Sequence, residues 1–384
     1  MRMAQEQEHE AWRAEVREFL DRELRPEDAF NPEFDDAPDQ WEIAVEFSRK
    51  VAAKGWIGLT WPEEYGGKGL PPITNQILLE ELYAADAPMI NSVGIFLAAG
   101  TILAGGTEEQ KKRLLPDIAN MRTLWAEGLT EPEAGSDLGS LRTKAVREGD
   151  EWIITGQKAF TSWGPMSDVL YVAARTAGDG ARDAISIFVV DLRSPGVTVH
   201  PMRNYGGGVQ SSTYLDHVRV PKSSLIGEEG KGWQYIMRAF YASGTVEPIY
   251  AMQEARLREL IAHCRKLPGK LDDPHVRADL AELAGIIQAQ RLLAYEIIGD
   301  NANGRQTPWG GGVQQIAAKE FEPLFAQIYD RVLGPASQLR TGSSYAPLNG
   351  KPEAWYRQSF ANHAGGTSQL KRMVLATRGL GLPR

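Results

Sequence analysis

The chain has 384 residues, 42% hydrophobic and 24% charged, an ordinary globular usage that excludes a disordered or fibrous protein and allows two or three packed domains. Its only cysteine, Cys264, excludes an intramolecular disulfide, and six scattered histidines give no zinc-ligand spacing, so no metal is expected. A formal net charge of -8 argues against nucleic acid as a partner, while leaving room for an anionic small ligand held by a few basic groups or helix N-termini.

The opening MRMAQEQEHEAWRAEVREFL is charged throughout, and no run approaches the ~20 apolar residues of a membrane span. A cytoplasmic protein is expected, neither secreted nor membrane-spanning. From residue 8 to 24, Trp12, Val16, Phe19 and Leu20 recur at helical spacing and share a face. Further helices are expected over 40–54 and 73–85, separated by the turn-rich WPEEYGGKGLPP. Near Thr123 the period changes to short β-rich runs, TKAVRE, EWIITG, DVLYVAART, AISIFVVD, GVTVHP and STYLDHVRV, which predict a compact antiparallel β domain. Helical periodicity returns over 233–266, 274–301 and 314–332, with a looser Pro/Gly-rich stretch over 334–353. The expected organisation is α+β in three regions, 1–122 helical, 123–230 β and 231–384 helical, packed as one unit.

Two strings stand out. In LTEPEAGSD, Thr130 and Ser136 sit among small residues that let backbone N–H groups approach an anionic or polar ligand, although an ordinary helix-to-strand turn would use similar residues. In GDEWIITGQKAFTSWG, Phe160 is either a strand core aromatic or a face for a planar ligand. Together with GKGW at 230–233 and the terminal GGTSQLKRMVLATRGLGLPR, these strings resemble the acyl-CoA dehydrogenase family over nearly the whole chain.

That resemblance implies a helical N-terminal domain, a β-barrel-like middle domain and a C-terminal four-helix bundle, with FAD as cofactor. Carried over by residue, the flavin contacts fall on Leu129 and Thr130 beside the ring, Gly135 and Ser136 near pyrophosphate and substrate, and Phe160, Thr161 and Ser162 around N5. Phe160 stands where many members have Trp. Gly366, Thr367 and Gln369 match C-terminal cofactor positions, often reached across a subunit boundary, and Arg265 matches a basic residue that reaches a neighbouring subunit's pyrophosphate. At least a dimer follows from those shared contacts.

Abstracting a proton alpha to a thioester while hydride leaves the beta carbon needs a carboxylate beside the alpha carbon. Family members place it immediately before the GT of the C-terminal motif or on the helix after GxGW. Here those positions hold Gly365 and, for the usual Glu-Arg pair, Ser243 and Gly244, with Ser243 left as a substrate-side residue. Glu247, about one helical turn further on, is the candidate base, or else a first-turn helix acid beside Pro248. Asp35, Asp36, Asp272 and Asp273 read as solvated loop acids and His363 as a structural or subunit-contact residue.

Three functions follow from the resemblance. The first is desaturation of an acyl-CoA at the alpha and beta carbons, passing electrons to an electron-transfer flavoprotein. The second is a non-catalytic or half-site partner in a heteromeric dehydrogenase for bulky acyl groups such as steroid side chains, a reading to which LGPA at 333–336 also points. The third is a flavin monooxygenase or oxidase on the same fold.

Overall fold

The computed structural model describes residues 2–25, 38–176, 184–242, 245–305, 310–360 and 365–383, so Asp35, Asp36, Ser243, Gly244 and His363 lie outside the described residues. The N-terminal helices are α1 (Arg2–Glu23), α2 (Pro38–Ala53) and α3 (Pro72–Ala84). The apolar face of α1 buries Val16 and Phe19, and Phe19 meets Trp56 edge-on at 4.8 Å between ring centres. A π-helical turn, Val93–Ala98, runs into α4 (Ala99–Gly105). Thr107 and Gln110 cap α5 (Glu108–Ala119) reciprocally, each side chain accepting from the other's backbone N–H.

The middle domain is one seven-stranded sheet of β1 (Trp125–Gly128), β2 (Lys144–Glu148), β3 (Glu151–Ser162), β4 (Val169–Arg175), β5 (Ile185–Asp191), β6 (Val197–Met202) and β7 (Gln210–Pro221). It corrects the antiparallel expectation at β4, which pairs in parallel with β1 and also, at Arg175 opposite Lys144, with β2. β1 meets β4 with Trp125 opposite Val169 and Gly128 opposite Val172. The four-residue β1 is too short to carry a readable alternation, so the sequence did not reveal it. One face of the sheet holds its own core, with Ala126, Trp152, Val172 and Phe188. The other face, with Trp125, Leu129, Tyr171 and Ile187, joins the core of the N-terminal helices.

The helix expected over 233–266 is two helices, α6 (Gly232–Ala242) and α7 (Ile249–Cys264). Pro248 explains the break, since it has no amide hydrogen to donate and its ring clashes with a helical carbonyl four residues back. α6 leaves the C-terminal domain to lie on α4. A Cβ on Gly100 would stand 2.9 Å from that of Ala239, so only glycine allows this approach. The second helical core is built by α7, α8 (Pro274–Ala302), α9 (Gly310–Leu333) and α10 (Lys351–Gln358), with Tyr250, Leu283, Phe325, Tyr329 and Trp355 buried in it. The short α11 (Ser368–Val374) packs on α9. Among the described residues no helix is long and apolar enough to cross a membrane, and no group of three metal-ligating side chains converges.

Candidate functional site

The LTEP and KAFTS segments meet at a defect in the sheet. Between Lys158 and Thr161 the pairing of β3 with β7 slips, so that β3 spends one more residue than its partner. Ala159 N at that bulge donates to Thr130 O at 2.9 Å. Phe160 takes a left-handed backbone, φ 55°, and turns its ring outward with 54% of the residue exposed. That conformation costs a non-glycine residue about 1–2 kcal/mol, and the exposed phenyl forgoes burial as well.

Around Phe160 lie hydroxyls without a settled use. Thr161 is fully buried, and its Oγ1 has no hydrogen-bond partner among the described residues. Thr130 and Ser162 are half-buried, and Leu129 is buried at the edge of the helical core. An aromatic face beside unspent hydroxyls suits a planar ligand with polar edges. Gly135 and Ser136 are exposed beyond the tight Glu131–Ala134 turn, and a Cβ on Gly135 would meet nothing within 4 Å.

The same two motifs contain residues that the sequence left unassigned, and the structure gives them one purpose. Lys158, fully buried, donates through Nζ to Glu131 Oε1 at 2.7 Å and to Leu129 O at 3.2 Å. Glu131 also accepts from the backbone N–H groups of Arg142 and Thr143, at 2.6 and 2.9 Å. Burial pulls the Lys158 ammonium down to about 8, against the raising effect of Glu131. Burial also pushes the Glu131 carboxyl up, but Lys158 and the donated hydrogen bonds outweigh it and hold the group below its ordinary range. The pair clamps LTEP to KAFTS and fixes the backbone on which Leu129, Thr130 and Phe160 stand.

A second cluster forms where α3, the α6–α7 break, α9 and the GGT turn converge. Glu247 lies in the break, its Oε1 accepting from Tyr83 Oη at 2.9 Å and its backbone carbonyl accepting from Gln314 Nε2 at 3.2 Å. Lys319 Nζ donates to Gly366 O at 2.8 Å, tying α9 to the GGT turn. Burial pushes the Glu247 carboxyl up, partly offset by Tyr83 and the Lys319 charge, although the residue is solvent-accessible. Glu322, one turn beyond Lys319 on α9, is raised to about 7 by burial and by Glu247. Neither Lys319 nor Glu322 was visible as a candidate, since only the packing of α9 on α11 brings them here.

Other expected residues separate. Gly365 and Gly366 have left-handed backbones, φ 67° and 99°, and a Cβ on Gly365 would enter open space. Thr367 caps α11, its Oγ1 accepting from Leu370 N at 3.2 Å, so its hydroxyl has a structural use. Gln369 is exposed, as is Arg265 at the end of α7. Among the described residues no hydrogen bond or ion pair joins Gly366, Thr367 or Gln369 to the β-domain set. Asp273 caps α8 through His275 N at 2.8 Å, and Asp272 is exposed beside it.

Family models for the N-terminal, middle and C-terminal domains of acyl-CoA dehydrogenase match residues 6–122, 126–218 and 230–380. The chain belongs to the acyl-CoA dehydrogenase family. It is 31% identical to the acyl-CoA dehydrogenase IpdE1 of Mycobacterium tuberculosis, over 98% of this chain and 99% of that one. Among solved structures it is similar to a "Tcur3481-Tcur3483 steroid ACAD", with TM-score 0.89 and 32% identity over 98% of both chains. It is also similar to a chain of the ChsE4-ChsE5 complex from Mycobacterium tuberculosis, with TM-score 0.89 and 30% identity over 98% of both.

Proteins of this acyl-CoA dehydrogenase family are FAD flavoproteins. The outward Phe160 ring, the orphan Thr161 hydroxyl and the half-buried Thr130 and Ser162 fit the aromatic ring system and polar edge of that cofactor.

Proposed function

We propose that this acyl-CoA dehydrogenase family member takes part in α,β-desaturation of an acyl-CoA thioester, with Glu247 as the group that accepts the alpha proton. Leu129, Thr130, Phe160, Thr161 and Ser162 would hold the isoalloxazine ring, Gly135 and Ser136 its phosphate side, and Gly366, Thr367, Gln369 and Arg265 the contacts across a subunit boundary. FAD, when bound, supplies the two-electron acceptor for the hydride that leaves the beta carbon, and an electron-transfer flavoprotein is the onward acceptor.

The observation that carries the role of Glu247 is its setting. Tyr83 Oη holds Oε1 at 2.9 Å, so Oε2 is left to receive a proton. Burial raises the carboxyl's basicity, and Lys319, bonded to Gly366 O, keeps a positive charge beside it. The proton passes from the alpha carbon to Oε2, and the electron pair of that C–H bond moves toward the thioester carbonyl. The test is washout of alpha deuterium from a labelled acyl-CoA in water, followed by mass spectrometry. Glu247→Gln should slow washout at least about 100-fold, and washout at the wild-type rate in that variant would remove Glu247 from the chemistry.

One observation favours a second reading. The space beside Gly365 is open where a carboxylate would stand, and two of the similar structures carry paired chain names. On this reading the chain is a half-site partner whose base is supplied by an unlike dehydrogenase subunit acting on a bulky acyl-CoA. Co-expression with such a subunit separates the two. Full FAD loading and turnover by a lone homomer would reject obligate partnership.

A further inference from the structure

The non-helical segment that carries Glu247 is held by amide side chains from two other helices. Val246 and Pro248 are buried on either side, while Glu247 between them is exposed. α7 begins only at Ile249, and Ala251 N turns to Pro248 O at 2.9 Å instead of to the Glu247 carbonyl. Val246 N–H and the Glu247 carbonyl therefore lack the partners that a continuous helix would give them. Each is met from outside. Gln76 Oε1 on α3 accepts from Val246 N at 3.0 Å, and Gln314 Nε2 on α9 donates to Glu247 O at 3.2 Å.

Gln314 stands at a core position. The buried series Gln314, Ala318, Phe321, Phe325 and Ile328 repeats at helical spacing along α9, and every member but the first is apolar. An amide in such a place gives up its water and must be repaid by its own hydrogen bonds, so packing alone would be served by a methionine of similar shape. Gln76, fully buried on α3, has a second use, because its Nε2 donates to Tyr250 Oη at 3.1 Å in the joint between helices. Among the described residues the side-chain hydrogen bond of Gln314 goes only to the carbonyl of the proposed base.

These anchors converge on one carboxyl. Tyr83, on the same helix as Gln76, donates to Glu247 Oε1 at 2.9 Å, and Lys319, on the same helix as Gln314, donates to Gly366 O at 2.8 Å. With its carbonyl held by Gln314, Glu247 reaches Tyr83 from a fixed starting point. With that carbonyl released, rotation of the peptide before Pro248 would carry the carboxyl away from Tyr83. We infer that Gln314 is a positioning residue for proton abstraction, its carboxamide holding the Glu247 backbone so that the carboxyl keeps its arrangement on Tyr83. This inference rests on the proposed role of Glu247. It adds no step to the reaction, since Gln314 acts only through the backbone of that residue.

The experiment uses the FAD-loaded full-length protein and cyclohexylpropanoyl-CoA deuterated at the alpha carbon, reading washout by mass spectrometry and thioester affinity by calorimetry. Gln314→Met keeps the shape of the side chain and removes the donor. It should slow washout about 10- to 100-fold while thioester affinity stays within about twofold of wild type. Amide hydrogen exchange over residues 245–251 should quicken in the same variant. In a Glu247→Gln background the change should slow the residual washout no further, because the two residues act as one unit. Washout at the wild-type rate in Gln314→Met, unchanged amide exchange, a matching loss of thioester affinity, or full additivity with Glu247→Gln would each make Gln314 a packing residue and leave the base assignment standing. Absence of washout by wild type, or an undiminished rate in Glu247→Gln alone, would reject that assignment and this inference with it.

Discussion

Phe160 shows how a single position trades stability for a ligand face. Its φ of 55° suits Asn or Gly far better than a phenyl-bearing residue, and its ring gains little from the chain around it. Phe160→Asn should therefore leave the ligand-free melting temperature unchanged or slightly raised, by less than about 1 kcal/mol of stability. The same change should weaken FAD binding at least about tenfold, measured by fluorescence titration of the apoprotein. Loss of stability without loss of FAD affinity would make Phe160 a packing residue. The letters around it were legible because the bulge, the ring and Thr130 belong to two short contiguous strings. Glu322 was not legible, since a helix carboxyl becomes notable only when its neighbours are seen to bury it.

Glu322 carries a pH signature of its own. Its carboxyl is raised from 4.5 to about 7, so the folded chain holds a proton there that the unfolded chain releases earlier. The stability tied to that proton is full below about pH 4.5 and is lost as pH rises through about 7. Glu322→Gln should flatten this part of the profile and leave the variant about 1–2 kcal/mol more stable than wild type at about pH 8, after discounting for partial exposure. Denaturant unfolding at several pH values checks it, and parallel profiles for the two proteins would contradict it.

At the scale of elements, the geometry of the proposed flavin site depends on a clamp between β3 and the segment after β1. Lys158, 0% exposed, and Glu131, 7% exposed, join the two motifs below the surface on which the candidate contacts lie. Lys158→Ala would strand a buried carboxylate that already accepts two backbone hydrogen bonds, which costs about 3–5 kcal/mol. Lys158→Met with Glu131→Leu removes both charges and should recover much of that loss, while leaving the Arg142 and Thr143 amides unserved. Thermal unfolding of the two single variants and the pair tests the coupling. Simple additivity would show that the clamp is not a unit. The sequence placed both residues inside family motifs but gave no sign of this pairing, because a Lys and a Glu 27 residues apart become partners only through strand register. The broken helix was misread for the opposite reason. Apolar spacing continues through 233–266, and only the geometry at Pro248 shows that α6 turns away to pack on α4.

Across the whole molecule, the two helical cores meet through polar groups on α3. Glu80, 6% exposed, accepts from Tyr250 Oη at 2.6 Å and from Tyr295 Oη at 3.1 Å, and it pairs with Arg13 at 2.7 Å. One carboxylate thus ties α1, α7 and α8 to α3. Gln76 reinforces it, donating to Tyr250 Oη at 3.1 Å and accepting from Val246 N at 3.0 Å beside the α6–α7 break. Tyr83, two turns along the same helix from Gln76, reaches Glu247. The helix that joins the domains therefore also sets the proposed base, so damage to the joint should reach the site. Glu80→Ala leaves the buried Tyr250 hydroxyl and the partly exposed Tyr295 hydroxyl without their shared acceptor, while Arg13 keeps Glu81, at a cost of about 1–3 kcal/mol. Calorimetry should then resolve two transitions in place of one cooperative unfolding, because each core retains its own packing while the link between them fails. Alpha-deuterium washout should slow in the same variant although it lacks no residue of the site. A variant that unfolds in a single transition and exchanges at the wild-type rate would show that apolar contact between the domains, rather than this carboxylate, holds Glu247 in place.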